Sequence, residues 1–278
     1  MLNKITGKTK ILGVFGNPIE HSFSPIMHNL ALKELNLDYV YVPFLVDDIG
    51  LAVKSIKAMN ITGVNVTIPY KQKVIPFLDE LTLGAEKIGA VNTIINKNGY
   101  LLGDNTDGLG FIKALEENLK INIKVKTFFI FGAGGASRAI SVSLVLSKAE
   151  KVFVYDIDKE KSKSLENIFT NKIISSENIE KDIKISDIVI NATPIGMSEK
   201  KDEFPFSPDL LNKNQVFYDI IYNRKTPMIK YCEENNIKSL NGLDMLLYQG
   251  VISFYKWTNI EPPVESMRKI LIETLKNK

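Results

Sequence analysis

Cysteine and histidine are scarce in this chain of 278 residues. Cys232 is its single cysteine, and His21 and His28 are its two histidines. One cysteine can form neither an intramolecular disulfide nor a cysteine-based metal cluster. Two histidines also argue against a catalytic zinc site, which draws on several nitrogen, sulfur or carboxylate ligands. The sequence therefore predicts a protein without a metal, and we interpret both histidines as structural.

Long hydrophobic runs and an excess of one charge are also missing. The longest apolar run near the amino terminus is about Ile11 to Phe15, too short for the core of a signal peptide. No stretch approaches the roughly 20 apolar residues that span a bilayer, so we expect a cytoplasmic protein with no membrane partner. The formal net charge is only +3, and basic residues are interspersed with acidic ones. A nucleic-acid partner, which needs clustered basic residues, is therefore not expected.

The composition is that of an ordinary globular protein, with 45% apolar and 24% charged residues. Its length favours two domains. Short β-rich runs alternate with amphipathic helical segments, a pattern typical of α/β folds with largely parallel sheets. Strands are predicted at about 11–15, 40–46, 63–68, 90–95, 126–131, 152–155, 187–191 and 216–221, and helices at about 108–119, 136–146, 243–257 and 263–276. Asn98-Gly99 predicts a hairpin turn, because both residues tolerate positive φ.

A glycine-rich loop joins a predicted strand to a predicted helix in the second half. It reads Gly132-Ala133-Gly134-Gly135, and Ser137 replaces the third glycine of the G-x-G-x-x-G pattern. Such glycines let the backbone turn tightly and approach a pyrophosphate at the helix amino end, where unpaired N–H groups favour anions. A tight turn without a ligand is the alternative interpretation. The strand before the loop and the helix after it favour a dinucleotide site.

An acid at the end of the next predicted strand indicates which dinucleotide binds. Asp156 lies twenty-four residues after Gly132. A carboxylate in this position accepts hydrogen bonds from the ribose hydroxyls of NAD and repels the 2′-phosphate of NADP. Asp158 adds a second negative charge. Lys159 and Lys161 could offset it, but nothing in the sequence decides where they point.

Polar residues of the first half lie where predicted strands end. The first group, Ser22 and Ser24, precedes Pro25. Because Pro25 suits a first helical position and Ser24 suits an N-cap, one interpretation is that Ser24 only caps a helix. The other is that both hydroxyls, beside the positive end of that helix, hold a substrate carboxylate. Spacing alone leaves both interpretations open.

Two further groups have a similar placement. Asn65 and Thr67 alternate with apolar residues and so share one face at the end of a strand. Lys71 follows at the carboxyl edge, where α/β proteins build their sites. Asn92 and the stretch 103–107 form the other group. Taken singly, each has a structural interpretation, as a surface lysine or as Asn and Asp residues that form turns.

Seven polar motifs occur in one order over residues 16 to 227, and an eighth extends the series to residue 250. They are GNPIEHSFSP, NVTIPYK, GAVNT, GDNTDGLG, GAGGASR, NATPIGM and YDIIYNRKTP, followed by NGLDMLLYQG. In this order they closely resemble the shikimate dehydrogenase family. The resemblance covers nearly the whole chain and is highly specific, because separate motifs would have to coincide.

The resemblance implies reversible reduction of 3-dehydroshikimate to shikimate with a nicotinamide dinucleotide and no metal. Lys71 and Asp107 would form the catalytic pair. The residues implied to bind the substrate are Ser22 and Ser24 at its carboxylate, Asn65, Thr67, Asn92 and Gln249 at ring hydroxyls, and Tyr222. The residues implied to bind the dinucleotide are Gly132, Ala133, Gly134, Gly135, Ala136, Asp156, Thr193 and Gly242. Gln249 has independent support, because a polar residue on a mostly apolar helix face needs a partner.

The residue types of the implied catalytic pair fit this reaction. Oxidation of an alcohol removes a hydride and a proton, so a proton acceptor must lie beside the reacting hydroxyl. Lys71 could accept that proton, and return it in the reduction, if its pKa is brought towards neutrality. Asp107 would orient Lys71 but would also favour its charged form. We favour Lys71 as the proton carrier, and an electrostatic anchor is the alternative.

The chain departs from the family pattern most clearly at the cofactor. Many shikimate dehydrogenases carry Asn-Arg-Thr after the second strand of the cofactor domain, and the arginine clamps the 2′-phosphate of NADP. This chain has Asp156-Ile157-Asp158 there, which resembles the NAD-using quinate/shikimate branch. That branch often has threonine in place of the second serine, whereas Ser24 keeps the shikimate pattern. We therefore expect NAD to be favoured over NADP.

The expected architecture has two domains. An N-terminal α/β substrate domain is predicted at 1–107, rejoined by 243–278, and a Rossmann-like doubly wound dinucleotide-binding domain at 108–242. We expect a monomer or a homodimer. Two alternatives remain open. One is a quinate dehydrogenase, which must accommodate an extra hydroxyl at the carbon that bears the carboxylate. The other is a catalytically silent dinucleotide-sensing module, against which the intact catalytic pair argues.

Overall fold

The computed structural model describes residues 5–198 and 203–276. Contacts between Cα atoms group the chain into two compact units. The first unit consists of Met1–Thr106 with Leu247–Lys278, and the second of Asp107–Leu246. Each unit combines a six-stranded sheet with helices, so the α/β class predicted from the sequence is confirmed.

Strands and helices alternate along most of the chain. The strands are β1 (Lys10–Gly16), β2 (Tyr39–Leu45), β3 (Gly63–Val66), β4 (Glu80–Leu81), β5 (Thr93–Lys97), β6 (Tyr100–Asp104), β7 (Thr127–Phe131), β8 (Lys151–Tyr155), β9 (Ile173–Ser175), β10 (Ile188–Asn191), β11 (Val216–Asp219) and β12 (Lys238–Leu240). The helices are α1 (Ser24–Glu34), α2 (Ile49–Ala58), α3 (Leu83–Ile88), α4 (Asp107–Leu119), α5 (Gly135–Leu146), α6 (Lys159–Glu166), α7 (Ile179–Lys184), α8 (Pro227–Glu234), α9 (Leu243–Thr258) and α10 (Val264–Lys276).

The sheet of the first unit brings several loop-bearing strand ends to one edge. Its strands lie in the order β2-β1-β3-β5-β6-β4. β1 is parallel to β3, whereas β5 is antiparallel to β3 and to β6. The carboxyl ends of β1, β3 and β6 therefore meet the amino end of β5. We refer to this edge, which passes Gly16, Val66, Thr93 and Asp104, as the polar edge.

Several helix ends follow local sequence rules. Asp48 and Thr82 accept hydrogen bonds from backbone N–H groups in the first turns of α2 and α3, and so cap them. Gly89 follows α3 with a φ of 68°, a left-handed conformation that glycine adopts without a steric penalty. Thr226 caps α8, and Pro227 is its first residue. These local signals place the loops between the strands.

The carboxyl-terminal part of α9 packs against the first sheet. Trp257 donates its Nε1 hydrogen to the carbonyl oxygen of Ile94 at 3.0 Å. A Cβ atom on Gly63 would lie 2.3 Å from the indole ring of Trp257, so the contact requires glycine in β3. α10 then packs against α1. This packing explains why the last helices belong to the first unit although the second unit precedes them in the chain.

The sheet of the second unit is doubly wound. All its pairings are parallel, in the order β12-β11-β10-β7-β8-β9. The first strand of the unit, β7, lies in the middle, so the order of the strands reverses between β7 and β10. Ligands of such sheets bind outside the carboxyl ends of the strands at this switch point. The prediction of a Rossmann-like second domain is confirmed.

Both faces of the second sheet are covered by apolar side chains. Successive residues of a strand point to opposite faces. Phe128 and Ile130 of β7 belong to one buried cluster, and Phe129 and Phe131 belong to the other. A parallel strand covered on both faces reads as a continuous hydrophobic run, which is what this segment shows in the sequence.

The described residues contain neither a candidate membrane-spanning helix nor a candidate metal site. Within 5–198 and 203–276, no helix combines the length and the apolar character that a membrane crossing requires. Over the same ranges, no three His, Cys, Asp or Glu side chains lie close enough together to hold a metal ion.

The strand predicted at 90–95 was placed too early. β5 runs from Thr93 to Lys97 instead. The backbone N–H of Val91 donates to the carbonyl of Lys71, and the side chain of Asn92 is hydrogen-bonded to Thr106. Residues 90–92 therefore form a loop across the polar edge. The hairpin predicted at 98–99 is confirmed, with φ values of 55° and 89° at these two residues.

His28 is a fully buried histidine in the core of the first unit. Its ring stacks on Tyr41, with 4.4 Å between the ring centroids. Within the described residues, neither ring nitrogen has a hydrogen-bond partner. Burial lowers the pKa of His28 from 6.5 to about 3, because the charged imidazolium would lose its hydration. The folded protein therefore keeps this ring neutral.

We expect His28 to make the folded protein sensitive to mild acid. Because its folded pKa is lowered, its contribution to stability is complete above pH 6.5 and is lost as the pH falls towards 3. At about pH 5 the loss should be about 2 kcal/mol of unfolding free energy. His28→Phe should remove this loss, which urea unfolding at about pH 7 and about pH 5 would measure. The exposed His21, changed to Gln, is the control, and an unchanged acid sensitivity of His28→Phe would refute the assignment.

Candidate active site

The loop after β1 carries the two candidate carboxylate-binding serines. Ser22 accepts a hydrogen bond from the backbone N–H of Ser24 at 3.4 Å. Ser24 is the first residue of α1, whereas the N-cap is Phe23, which makes no capping hydrogen bond with its side chain. The interpretation of Ser24 as an N-cap is therefore wrong.

A buried hydrogen-bond network lies along the polar edge. Asn65 Nδ2 donates to the carbonyl oxygen of Asn92 at 3.1 Å and to the hydroxyls of Thr93 and Ser253 at 3.2 Å each. Asn92 Nδ2 donates to the Thr106 hydroxyl at 3.0 Å, and its Oδ1 accepts from the Thr106 backbone N–H at 2.8 Å. All five residues are buried. Partners on several sides hold each of these side chains in one orientation.

The same unit also contains Thr67 and Gln249, which were predicted to bind the substrate, and Lys71, which was predicted to be catalytic. Thr67 directly follows β3, and its methyl group lies 2.5 Å from where a Cβ on Gly16 would be, so the glycine lets the two loops approach. Lys71 is half-buried in the next turn. Gln249 is half-buried on α9, and its carbonyl oxygen accepts a hydrogen bond from Thr106 at 3.1 Å. α9 thus joins the network through its backbone as well as through Ser253.

The sequence did not predict an ion pair that holds the strand end before Asp107. Asp104, the last residue of β6, is buried, and Lys256 Nζ lies 2.8 Å from its Oδ2. Its Oδ1 accepts hydrogen bonds from Thr82 at 2.6 Å and from the backbone N–H of Asn105 at 2.7 Å. The charge of this buried carboxylate is therefore balanced by a lysine at one oxygen, and the other oxygen accepts two hydrogen bonds. No local pattern indicates a pair between residues so distant in the chain.

The glycine loop of the second unit begins at the carboxyl end of β7. Gly132 has a φ of 93°, and a Cβ atom there would lie 2.8 Å from the carbonyl oxygen of Ala192. Gly132 is therefore required by the fold. Gly134 has a φ of −76°, and neither it nor Gly135 would bring a Cβ within 4 Å of another residue. Both are exposed at the amino end of α5, so the backbone there is open to a pyrophosphate.

Asp156 contacts the glycine loop directly. Its Oδ2 accepts a hydrogen bond from the backbone N–H of Ala133 at 2.7 Å, and its Oδ1 accepts from that of Asp158 at 2.9 Å. The carboxylate therefore orders the loop in addition to carrying charge. Asp158 accepts from the backbone N–H of Glu160 and so caps α6, and Lys161 lies 3.4 Å from it. Ala133 is half-buried and Ala136 follows in the first turn of α5.

A second loop lies next to the glycine loop at the switch point. Thr193 follows β10, and its Oγ1 and backbone N–H both donate to Asn191 Oδ1, at 2.6 and 3.1 Å. Asn191 Nδ2 donates in turn to Asp219 Oδ1 at 3.1 Å. The methyl group of Thr193 lies 3.1 Å from where a Cβ on Gly132 would be. The structure thus brings together the two predicted cofactor-binding segments, which are far apart in sequence.

Asp219 is a buried carboxylate that the sequence analysis did not single out. Burial raises its pKa to about 6, although hydrogen bonds from Thr226, from the backbone N–H of Ile221 and from Asn191 oppose the shift. It therefore connects the NATPIGM and YDIIYNRKTP segments through Asn191. The sequence does carry a signal for this pair: Asn191 and Asp219 are each the last residue of a strand, and these two strands are parallel neighbours.

The remaining predicted residues are also in the second unit. Tyr222 is half-buried just after β11, and burial raises its pKa. Gly242 is buried, and a Cβ there would lie 2.0 Å from the carbonyl oxygen of Ile220, so the fold itself requires this glycine. Asp107 is the first residue of α4. Asp107 and Tyr222 therefore lie in the unit that holds the glycine loop, whereas Lys71 lies in the first unit.

Comparison with known proteins places the chain among well-described relatives. Residues 14–94 match the shikimate dehydrogenase substrate binding domain, and residues 242–272 match the shikimate 5′-dehydrogenase C-terminal domain. The NADP(+) shikimate dehydrogenase of Desulforamulus reducens is 43% identical, with 96% of each chain covered. That of Methanocaldococcus jannaschii is 40% identical, with 98% of this chain and 99% of the relative covered.

A solved structure gives the same result. Shikimate 5-dehydrogenase from Listeria monocytogenes, in complex with shikimate and NAD, superposes with a TM-score of 0.92 at 36% identity. The superposition covers 98% of this chain and 99% of the other.

The doubly wound sheet, its glycine loop at the switch point and the polar edge of the first unit define a dinucleotide-dependent oxidoreductase of two α/β domains. The chain belongs to the shikimate dehydrogenase family, as its motifs predicted. It is therefore an NAD(P)-dependent enzyme, and the alternative of a non-catalytic dinucleotide-sensing module is not supported.

We expect two glycines of the loop to respond differently to alanine. Gly134→Ala should keep the midpoint of thermal unfolding within about 2 °C of the unmodified protein, because the added Cβ meets no neighbour. The same substitution should weaken dinucleotide binding about 10-fold or more, because the added methyl group blocks close approach of the pyrophosphate. Gly132→Ala should lose about 1–3 kcal/mol of stability through its positive φ and its contact with Ala192. Calorimetric titration with NAD and NADP and thermal unfolding would measure both, with Gly84→Ala as control. Normal dinucleotide affinity in Gly134→Ala would contradict the site.

Proposed function

We propose that this enzyme reversibly oxidises shikimate to 3-dehydroshikimate, that its first unit binds the shikimate and that its second unit binds the dinucleotide. The observation that carries the proposal is the buried network of amides and hydroxyls along the polar edge. Directed polar groups of this kind suit a small, highly hydroxylated ligand. The sequence predicted the substrate domain at 1–107 with 243–278 and the dinucleotide domain at 108–242, whereas contacts in the structure group Asp107 and residues 243–246 with the second unit.

Two further features of the first unit support a carboxylated substrate. Ser22 and Ser24 lie at the amino end of α1, where backbone N–H groups favour an anion. In the first turn, the N–H of Ser24 is bonded to the Ser22 hydroxyl and Pro25 has none, so the two serine hydroxyls together with the positive end of the helix would hold the carboxylate. Asn65, Asn92 and Gln249 would then accept or donate hydrogen bonds at ring hydroxyls, with Thr67 beside them. Tyr222 is the remaining residue that we assign to substrate binding.

Lys71 and Asp107 would carry the acid–base chemistry. Removal of a hydride from the alcohol carbon to the nicotinamide leaves a proton on the oxygen, and Lys71 would accept it. In the reduction the same ammonium would polarise the carbonyl and return the proton. Asp107 would orient the ammonium and stabilise its charged form. The nicotinamide dinucleotide supplies the hydride acceptor, and the protein supplies position and proton transfer.

We expect Lys71→Ala to lose turnover while retaining its cofactor. kcat for shikimate oxidation should fall by about 10²–10⁴-fold, the usual contribution of a positioned acid–base group. Dinucleotide affinity should stay within about twofold of the unmodified enzyme, because Lys71 lies in the first unit. The control is Lys73→Ala, which removes an exposed lysine from the same loop. Turnover retained in Lys71→Ala would refute the assigned role.

We also propose that NAD is preferred over NADP, although the curated relatives named above are NADP(+) enzymes. What supports the preference is charge. Asp156 lies against the glycine loop, and Asp158 is exposed two residues later. A 2′-phosphate on the adenosine ribose would meet these carboxylates. Lys161, which could compensate, is paired with Asp158 instead. The ribose hydroxyls of NAD can donate to Asp156 without repulsion.

Rates with shikimate and quinate, each with NAD and NADP, test both parts of the proposal. We expect the highest kcat/KM with shikimate and NAD. Asp156→Asn should lower the NAD:NADP ratio of kcat/KM by about 10-fold or more, because it removes a charge next to the phosphate. Asp158→Asn keeps a capping side chain and should lower the ratio less. A higher kcat/KM with NADP would overturn the preference, and a higher one with quinate would overturn the substrate assignment.

A further inference from the structure

Tyr41 is a buried tyrosine that the proposed chemistry does not use. It lies on β2 and is 2% exposed. Its ring packs between His28 and Trp257, with centroid distances of 4.4 and 6.1 Å. Its hydroxyl lies 2.7 Å from Asn65 Oδ1. The hydroxyl of Tyr41 therefore contacts Asn65, a residue that we propose to bind the substrate.

The direction of the hydrogen bond between Tyr41 and Asn65 follows from the network. The carbonyl oxygen of Asn92 can only accept, so the atom of Asn65 that faces it must be Nδ2. The other terminal atom of Asn65 is then Oδ1, which can only accept. The Tyr41 hydroxyl must donate to it. The orientation of the Asn65 amide is therefore determined by its partners.

Asn65 has no further hydrogen to offer. Its Nδ2 carries two hydrogens, and three acceptors already lie within 3.2 Å of it, on Asn92, Thr93 and Ser253. Its Oδ1 has two lone pairs, of which Tyr41 occupies one. The lone pair that remains can accept a hydrogen bond from a ligand hydroxyl. In this arrangement Asn65 acts towards the substrate as an acceptor.

We infer that Tyr41 is a positioning residue for shikimate, which holds Asn65 Oδ1 towards the substrate as an acceptor. This inference rests on the proposed function. Without the phenol, Asn65 Oδ1 would be buried and would lose the donor that orients it. The asparagine would then be free to adopt other rotamers, and binding rather than chemistry would suffer.

The test is Tyr41→Phe, which keeps the ring packing and removes one hydroxyl. We expect the KM for shikimate to rise about 5- to 20-fold, a size consistent with one buried hydrogen bond. We expect kcat to stay within about threefold and the KM for the dinucleotide to stay unchanged, because Tyr41 acts on neither the proton transfer nor the second unit.

The control is Tyr39→Phe, on the same strand and the same face two residues earlier. The hydroxyl of Tyr39 is contacted by Lys10 at 3.4 Å, away from the polar edge. Its removal should leave both KM values unchanged. A similar rise in KM for both variants would show a general effect of altering β2 and would overturn the inference.

A double-mutant cycle with Asn65→Ala separates positioning from a merely structural role. If Tyr41 acts through Asn65, adding Tyr41→Phe to Asn65→Ala should change the KM for shikimate by less than about twofold. Additive effects of the two substitutions would overturn the inference. Should Tyr41→Phe not fold, a crystal structure of the unmodified protein with shikimate decides, because a shikimate hydroxyl must lie within hydrogen-bond distance of Asn65 Oδ1.

The outcome for Tyr41 is distinguishable from that for the function. Absence of shikimate turnover in the unmodified enzyme would contradict the proposed function itself. Normal turnover in the unmodified enzyme, together with an unchanged KM for shikimate in Tyr41→Phe, would contradict only the inference about Tyr41.

Discussion

Parallel pairing of β1 with β3 in one unit, and of β7 with β10 in the other, decides where the candidate functional groups lie. Backbone hydrogen bonds hold these strands side by side in one direction, so their carboxyl ends meet at one edge of each sheet. The interior of a strand such as β7 is buried on both faces and has no room for a ligand. The loops that leave the strands at this edge therefore carry the polar motifs.

The polar edge of the first unit also shows how a buried site keeps its geometry. Amide and hydroxyl groups that lose water must find partners within the protein. Asn65, Asn92 and Thr106 find them in one another and in the backbone. Because an amide has one acceptor end and one donor end, a hydrogen bond at one end determines whether the other end donates or accepts. The same requirement that satisfies the core thus also orients the groups that we propose to bind the substrate.

Several side chains combine a structural with a functional assignment. Asp156 was selected from the sequence for its charge, yet it also accepts a hydrogen bond from the glycine loop. Gly132 and Gly242 are required by close backbone approaches within the second unit, whereas Gly134 has no such requirement. The spacing of a motif does not distinguish these cases, because a glycine that the fold requires and a glycine that a ligand requires look alike in sequence.

The sequence by itself determined the α/β class, the doubly wound second unit, the family, and the approximate positions of eight of the twelve described strands and four of the ten described α-helices. These follow from local periodicity, from turn residues such as Asn98 and Gly99, and from the order of the motifs. Tertiary structure alone decided that Tyr41 donates to Asn65, that Lys256 pairs with Asp104, and that Asn191 donates to Asp219. Each of these contacts joins segments distant in the chain, and a local pattern carries no information about a partner brought near only by the packing of strands and helices.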